Sequence, residues 1–201
     1  MKLYYSPAAC SLAAHIALRE AGLSVDLISV DLATHKLADG TDYYTINPKG
    51  PVPLLELGNG DFVSEVAVIL QYIADQVPEK NLAPAHGTMN RLRLQETLNF
   101  IATEIHKGSG IFFNPHANDE IKTFYRQKLR NLYSIIDQQL ATSGWLIGDQ
   151  FSVADAYLFV MINLAKFIHL DLTELVAISA FTSRMQERPS VLAALKAEGL
   201  A

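Results

Sequence analysis

Every strand signal in this 201-residue chain falls before about residue 77, and beyond residue 87 only helical spacing remains. A chain divided in this way builds one unit around a sheet and another around helix–helix contacts. The fold class expected is therefore α/β followed by all-α, with domains at 1–80 and 87–201. In the first part, "KLYY" reads as a short strand and "SLAAHIALREAG" as a helix stopped by Gly22. "VDLISVDL" reads as a second strand, and the polar stretch to Pro51 as a loop with a short helix near Asp42 to Thr45. "PLLELGNGDFVSE" reads as two strands around Gly58-Asn59-Gly60, and Ser64 as the cap of a helix that ends before Pro78. After the linker "PEKNLAPAHG" come two long helices and three shorter ones. The order of the first part is β-α-β, loop, β-β-α.

Charge changes at the same boundary. Residues 1–80 hold 5 Lys/Arg against 10 Asp/Glu, whereas the remainder is balanced at 11 against 11. No basic face is available for a phosphate backbone, so no nucleic-acid partner is expected. One cysteine cannot form an intramolecular disulfide, which points to a reducing, cytoplasmic setting. The six histidines lack ligand spacing, so no metal site is expected. Only four residues separate Lys2 from Pro7, too few for a signal peptide's apolar core. The longest apolar run, Ala156 to Ile162, is too short to span a bilayer, and no membrane partner is expected.

Five features bear on chemistry, and each has a plain structural reading beside it. Cys10 lies between a strand and a helix, where unpaired backbone N–H groups and the helix dipole favour thiolate; the plain reading is a small buried hydrophobe. In "KGPVPLL", Pro53 holds Val52 extended, so its N–H and C=O are placed to pair with a peptide-like ligand; alone, such a stretch is a turn. Ser64-Glu65-Val66 opens a helix whose N–H groups suit a carboxylate, with Glu65 as acceptor for an ammonium group; simple capping is the alternative. Asn99, Thr103 and His106 share one helix face opposite Leu94, Leu98, Ile101 and Ile105, and that face meets either water or a cleft. Ser152 and Asp155 have the spacing of a capping box and read as structural.

Cys10 at a helix start after a β-strand, with a proline before the next strand, looks like a thioredoxin fold, in which that proline is cis. Together with "NPKGPVPLL", "SEVAVILQYIAD", "LNFIATEIHKG", "GWLIGDQFSVADAYLF" and "MQERPSVLAALKAEGL", these residues resemble the bacterial beta-class glutathione S-transferases along nearly the whole chain. The resemblance implies a thioredoxin-like N-terminal domain, an all-helical C-terminal domain with an apolar substrate site, and a cytoplasmic homodimer. It implies an enzyme of detoxification that joins glutathione, a co-substrate, to small hydrophobic electrophiles, and it admits thiol-transferase or peroxidase activity. No other cofactor is implied.

Residue by residue, the resemblance puts Cys10 and His106 at the glutathione sulfur as catalytic groups. Val52 pairs with the cysteinyl part, and Glu65 with Val66 holds the γ-glutamyl end. His35 or Lys36 meets the glycyl carboxylate. Asn99, Thr103, Glu104, Ile105 and His106 form the helical side, with Glu104 reaching glutathione on the other subunit. Two non-enzymatic readings are a carrier of apolar ligands and a protein-interaction module; retention of glutathione by the protein separates both from a transferase.

Overall fold

Leu3 and Tyr4 are buried in the first strand, β1 (Lys2–Tyr5), and the sheet grows on both sides of it. To one side lie β2 (Asp26–Asp31), parallel to β1, and the two-residue strand β3 (Lys36–Leu37). To the other lie β4 (Leu54–Glu56) and β5 (Phe62–Ser64), both antiparallel to their neighbours, giving the order β3-β2-β1-β4-β5. The computed structural model describes residues 1–201, which form two units: Met1–Leu82 with Arg188–Ala201, and Ala83–Glu187.

In the first unit, helix α1 (Ser11–Ala21) follows β1 and buries Leu12, Ile16 and Leu18; Gly22 ends it in a left-handed conformation, φ 70°. Helix α2 (Val66–Asp75) packs Ile69, Leu70 and Ile73 into the same core, against α1. The loop between β2 and β4 carries the expected short helix as a 3-10 turn, Tyr43–Thr45, capped by Asp42. Two expectations need correction. The helix after β5 is not capped by Ser64: its N-cap is Glu65, at φ 71°, while the Ser64 hydroxyl accepts from Lys49 Nζ at 3.1 Å. The last helix, which the sequence reading places with the helical part, packs in the first unit against α1.

That last helix, numbered α8 below (Pro189–Ala197), is held by polar contacts that its sequence does not advertise. Arg188 donates twice to Glu20 of α1, at 2.7 and 3.0 Å. Glu198, just beyond α8, is buried; its Oε1 lies 2.8 Å from His15 Nδ1 and its Oε2 accepts the Ala8 N–H at 3.2 Å. Arg19 Nε donates to His15 Nε2 at 3.0 Å, so that nitrogen carries the lone pair and the ring proton sits on Nδ1, facing the carboxylate.

The second unit is helical throughout. Helix α3 (Met89–Phe100) starts at Thr88, whose hydroxyl caps the Arg91 N–H, and runs into a π-helical stretch, Ile101–His106. The short helix α4 (Lys107–Ser109) continues it. Leu94, Leu98, Ile101 and Ile105 are all buried, as their spacing predicts. Next come α5 (Asp119–Ser143), α6 (Val153–Phe167) and α7 (Val176–Gln186). The capping box of α6 forms as read: Asp155 accepts from the Ser152 N–H and hydroxyl, both at 2.8 Å, and from the Leu146 N–H at 3.0 Å. Burial pushes the Asp155 carboxyl up to about 6 against the pull of those donors.

Replacing Glu198 by Ala leaves the buried His15 Nδ1–H and the Ala8 N–H without their acceptor. The expected loss is about 2–3 kcal/mol of stability. Urea unfolding followed by circular dichroism measures it, and Glu198→Gln, which keeps an acceptor oxygen, recovers part of the loss.

Candidate functional site

The loop from β2 to β4 is organised by a buried tyrosine. The Tyr43 N–H donates to the His35 carbonyl at 2.8 Å, and its hydroxyl donates to the Pro51 carbonyl at 3.1 Å. Asn47 Nδ2 donates to the same carbonyl at 2.8 Å, so the start of "PVP" is tied down from two side chains. Gly50 turns the chain here at φ 85°, a left-handed conformation that favours glycine, and a Cβ would lie 2.7 Å from the Tyr44 ring. The Val52–Pro53 peptide is cis, as the thioredoxin-like reading implies.

Cys10 is the N-cap of α1, and its sulfur lies 3.2 Å from the Val52 carbonyl, to which the thiol donates. The N–H groups of Cys10 and Ser11 pull its pKa down, though the side chain makes no cap bond. Desolvation outweighs them and pushes the thiol up to about 12, with the Glu65 carboxylate adding to the rise. The balance favours the thiol over the thiolate that the sequence reading expects, because the half-buried sulfur loses more by leaving water than one helix terminus returns.

The other candidate residues of this unit lie between β2 and β4 and at the start of α2. Glu65 opens α2, and Lys49 reaches it at 3.7 Å while donating to Ser64. Val66 is buried, so it offers its backbone rather than its side chain. His35 sits at φ 52° with its ring 4.5 Å from that of Tyr44, and its Nδ1 is buried with no hydrogen-bond partner. Lys36 is exposed on β3. Lys49 escaped the sequence reading; its place in "NPKGP", close to the Pro-x-Pro segment, was the available signal.

In the second unit the three polar residues fall on α3 and on the π-helical stretch that follows it. Asn99 and Thr103 are exposed and His106 is half-buried, whereas Ile105 is in the core and can offer only main-chain groups. The π-helical stretch is held partly by side chains: Thr103 Oγ1 donates to the Asn99 carbonyl at 3.1 Å and Ser109 Oγ to the Ile105 carbonyl at 2.8 Å. His106 Nδ1 lies 2.8 Å from the Tyr157 hydroxyl. Glu104 pairs with Lys128 of α5 at 3.0 Å, a partner within its own chain that the sequence reading did not foresee.

Comparison with known proteins adds family identity to this geometry. Residues 8–76 match the glutathione S-transferase N-terminal domain and residues 100–189 the C-terminal domain. Over 200 residues, the whole of both chains, the sequence is 44% identical to glutathione S-transferase GstA of Escherichia coli O157:H7. The chain belongs to the glutathione S-transferase family. It is an enzyme of that family, a glutathione transferase, and its structural likeness is to bacterial members. A ternary complex of BphK, a bacterial transferase, superposes with a TM-score of 0.97 at 50% identity over all of both chains. A sphingomonad transferase complexed with glutathione gives 0.95 at 44%, again over all of both chains. The beta-class enzyme of Sphingomonas chungbukensis gives 0.96 at 45%, with the same full coverage.

A thiol displaced to about 12 is almost entirely protonated at neutral pH. In the ligand-free enzyme, alkylation of Cys10 by iodoacetamide should be slower at pH 7.5 than that of free glutathione, and should keep rising with pH without a plateau below pH 10. Intact-mass spectrometry over a pH series measures this on the single cysteine.

Proposed function

We propose that the enzyme conjugates glutathione to electrophilic apolar substrates, with the sulfur of glutathione as nucleophile and Cys10 as a donor to it. The observation that carries this reading is the Cys10 thiol at the start of α1, donating to the Val52 carbonyl next to the cis Val52–Pro53 peptide. A thiol is a poor nucleophile but a good partner for a neighbouring sulfur anion. Free thiols of this type have a pKa of about 8.5, and lowering that of glutathione by two units corresponds to about 2.7 kcal/mol. The α1 donors, the Cys10 S–H and His106 together suffice for a shift of this size.

The remaining assignments follow the family resemblance. Val52 pairs with the cysteinyl backbone; Glu65 takes the γ-glutamyl ammonium and the Val66 N–H its carboxylate. His35 or Lys36 meets the glycyl carboxylate. Asn99 and Thr103, with His106, supply the helical side. The Glu104–Lys128 pair is part-exposed and worth no more than about 1 kcal/mol, so the ammonium of glutathione on a second subunit can compete for Glu104. A homodimer in the cytoplasm completes the proposal. Met89 and Leu92 on α3 are large apolar side chains left exposed, as a subunit interface requires. No helix is long and apolar enough to cross a membrane.

The roles of Cys10 and His106 separate in a mutant cycle. Cys10→Ser keeps a donor and should hold conjugation within about threefold, whereas Cys10→Ala and His106→Ala should each cost about tenfold. The Cys10→Ala, His106→Ala double mutant should lose less than the product of the two, since both groups serve one sulfur. Glutathione-dependent disulfide exchange through Cys10 should vanish in both Cys10 variants. Unchanged conjugation in Cys10→Ala and in His106→Ala alike defeats the proposal.

Sedimentation velocity at micromolar concentration should give a species of twice the 22.2 kDa chain mass. Replacing Leu92 by Glu should shift it toward the single chain.

A further inference from the structure

We propose that Tyr157 is a positioning residue for His106, its buried hydroxyl donating to Nδ1 and so holding the proton of the neutral ring on Nε2. This rests on the reading of His106 as a catalytic group. Tyr157 is 1% exposed, on a helix whose neighbouring side chains Ala156, Leu158, Phe159 and Val160 are equally buried. A hydroxyl in such surroundings is costly unless hydrogen-bonded. It meets His106 Nδ1 at 2.8 Å, with the two rings nearly perpendicular at 86° and their centroids 5.9 Å apart.

The consequence lies in which nitrogen carries the proton. A neutral imidazole has one N–H donor and one lone pair. With the tyrosine hydrogen placed on Nδ1, the ring's own hydrogen must be on Nε2, where it can donate to a sulfur anion. The opposite tautomer would turn a lone pair toward that anion and repel it. Fixing the tautomer by a hydrogen bond to the second nitrogen is how a histidine is committed to one role in advance.

The backbone around His106 fits this arrangement. His106 closes the π-helical stretch, and the Lys107 N–H reaches back five residues to the Ala102 carbonyl. Segments of this kind occur often at functional positions. The ring is thus held from two directions: by the widened backbone turn and by a side chain from α6, an element that otherwise contributes packing.

Nitrogen-15 histidine labelling of the full-length enzyme tests the assignment directly. At pH 8 the long-range proton–nitrogen pattern of His106 should be that of the Nε2–H tautomer, and in Tyr157→Phe it should move toward a mixture. Conjugation by Tyr157→Phe should fall about three- to tenfold in kcat/KM, the scale of one hydrogen bond. Added to His106→Ala, the same change should cost less than twofold. A wild-type ring protonated on Nδ1, or a Tyr157→Phe enzyme with unchanged tautomer or unchanged activity, overturns the proposal. Full activity in His106→Ala would instead remove the catalytic reading of His106, and with it any effect of Tyr157 on rate, while the wild-type spectrum still decides the tautomer.

Discussion

Glu198 holds the loop that presents Cys10. That loop leaves β1 through Ala8, which takes a left-handed conformation, φ 61°, without the freedom of glycine. The Ala8 N–H has its acceptor in Glu198 Oε2, while Oε1 faces His15 within α1. One carboxylate from the end of the chain thus joins the loop before the thiol to the helix after it. Arg19 and Arg188 extend the same network, the first by fixing the His15 tautomer and the second by pinning α8 to Glu20. The position of the sulfur, 3.2 Å from the Val52 carbonyl, follows from contacts made almost two hundred residues away in sequence.

At Cys10 two familiar effects oppose each other, and their sizes decide the outcome. A helix terminus contributes about 0.3–1 kcal/mol toward an anion when exposed and somewhat more when partly buried. Desolvation of the half-buried sulfur is larger, and it favours the thiol. The same N–H groups remain available to a second sulfur, one that arrives with a ligand and brings its own contacts. On the proposed reading, charge is better carried by the glutathione sulfur than by the enzyme's, which is the division of labour that conjugation requires.

Much of this was legible in the sequence, for identifiable reasons. Leu94, Leu98, Ile101 and Ile105 repeat at helical spacing and all are buried; Ser152 and Asp155 form their box because capping is local chemistry. The cis bond at Val52–Pro53 was readable only through the thioredoxin-like resemblance. What escaped depends on contacts distant in sequence. β3 is two residues long and exists through pairing with Val30 and Asp31. Ser64 had the composition of a cap, but the backbone turn at Glu65 took that place. Neither Glu198 near the chain end nor Tyr157 inside an apolar run announces a buried polar contact, since each partner lies on another element.

The π-helical stretch has a consequence for how this chain tolerates change. A turn widened in this way is one residue richer than the α-helical turn it replaces. Loss of a single residue between Ile101 and His106 would let the segment relax into ordinary helix. The widened turn absorbs its extra residue, so the helix beyond would keep nearly its present bearing while the residues inside the stretch change theirs. His106 closes that stretch, so its aim is set by chain length as much as by side-chain chemistry, and a single-codon deletion here would redirect it with every side chain intact.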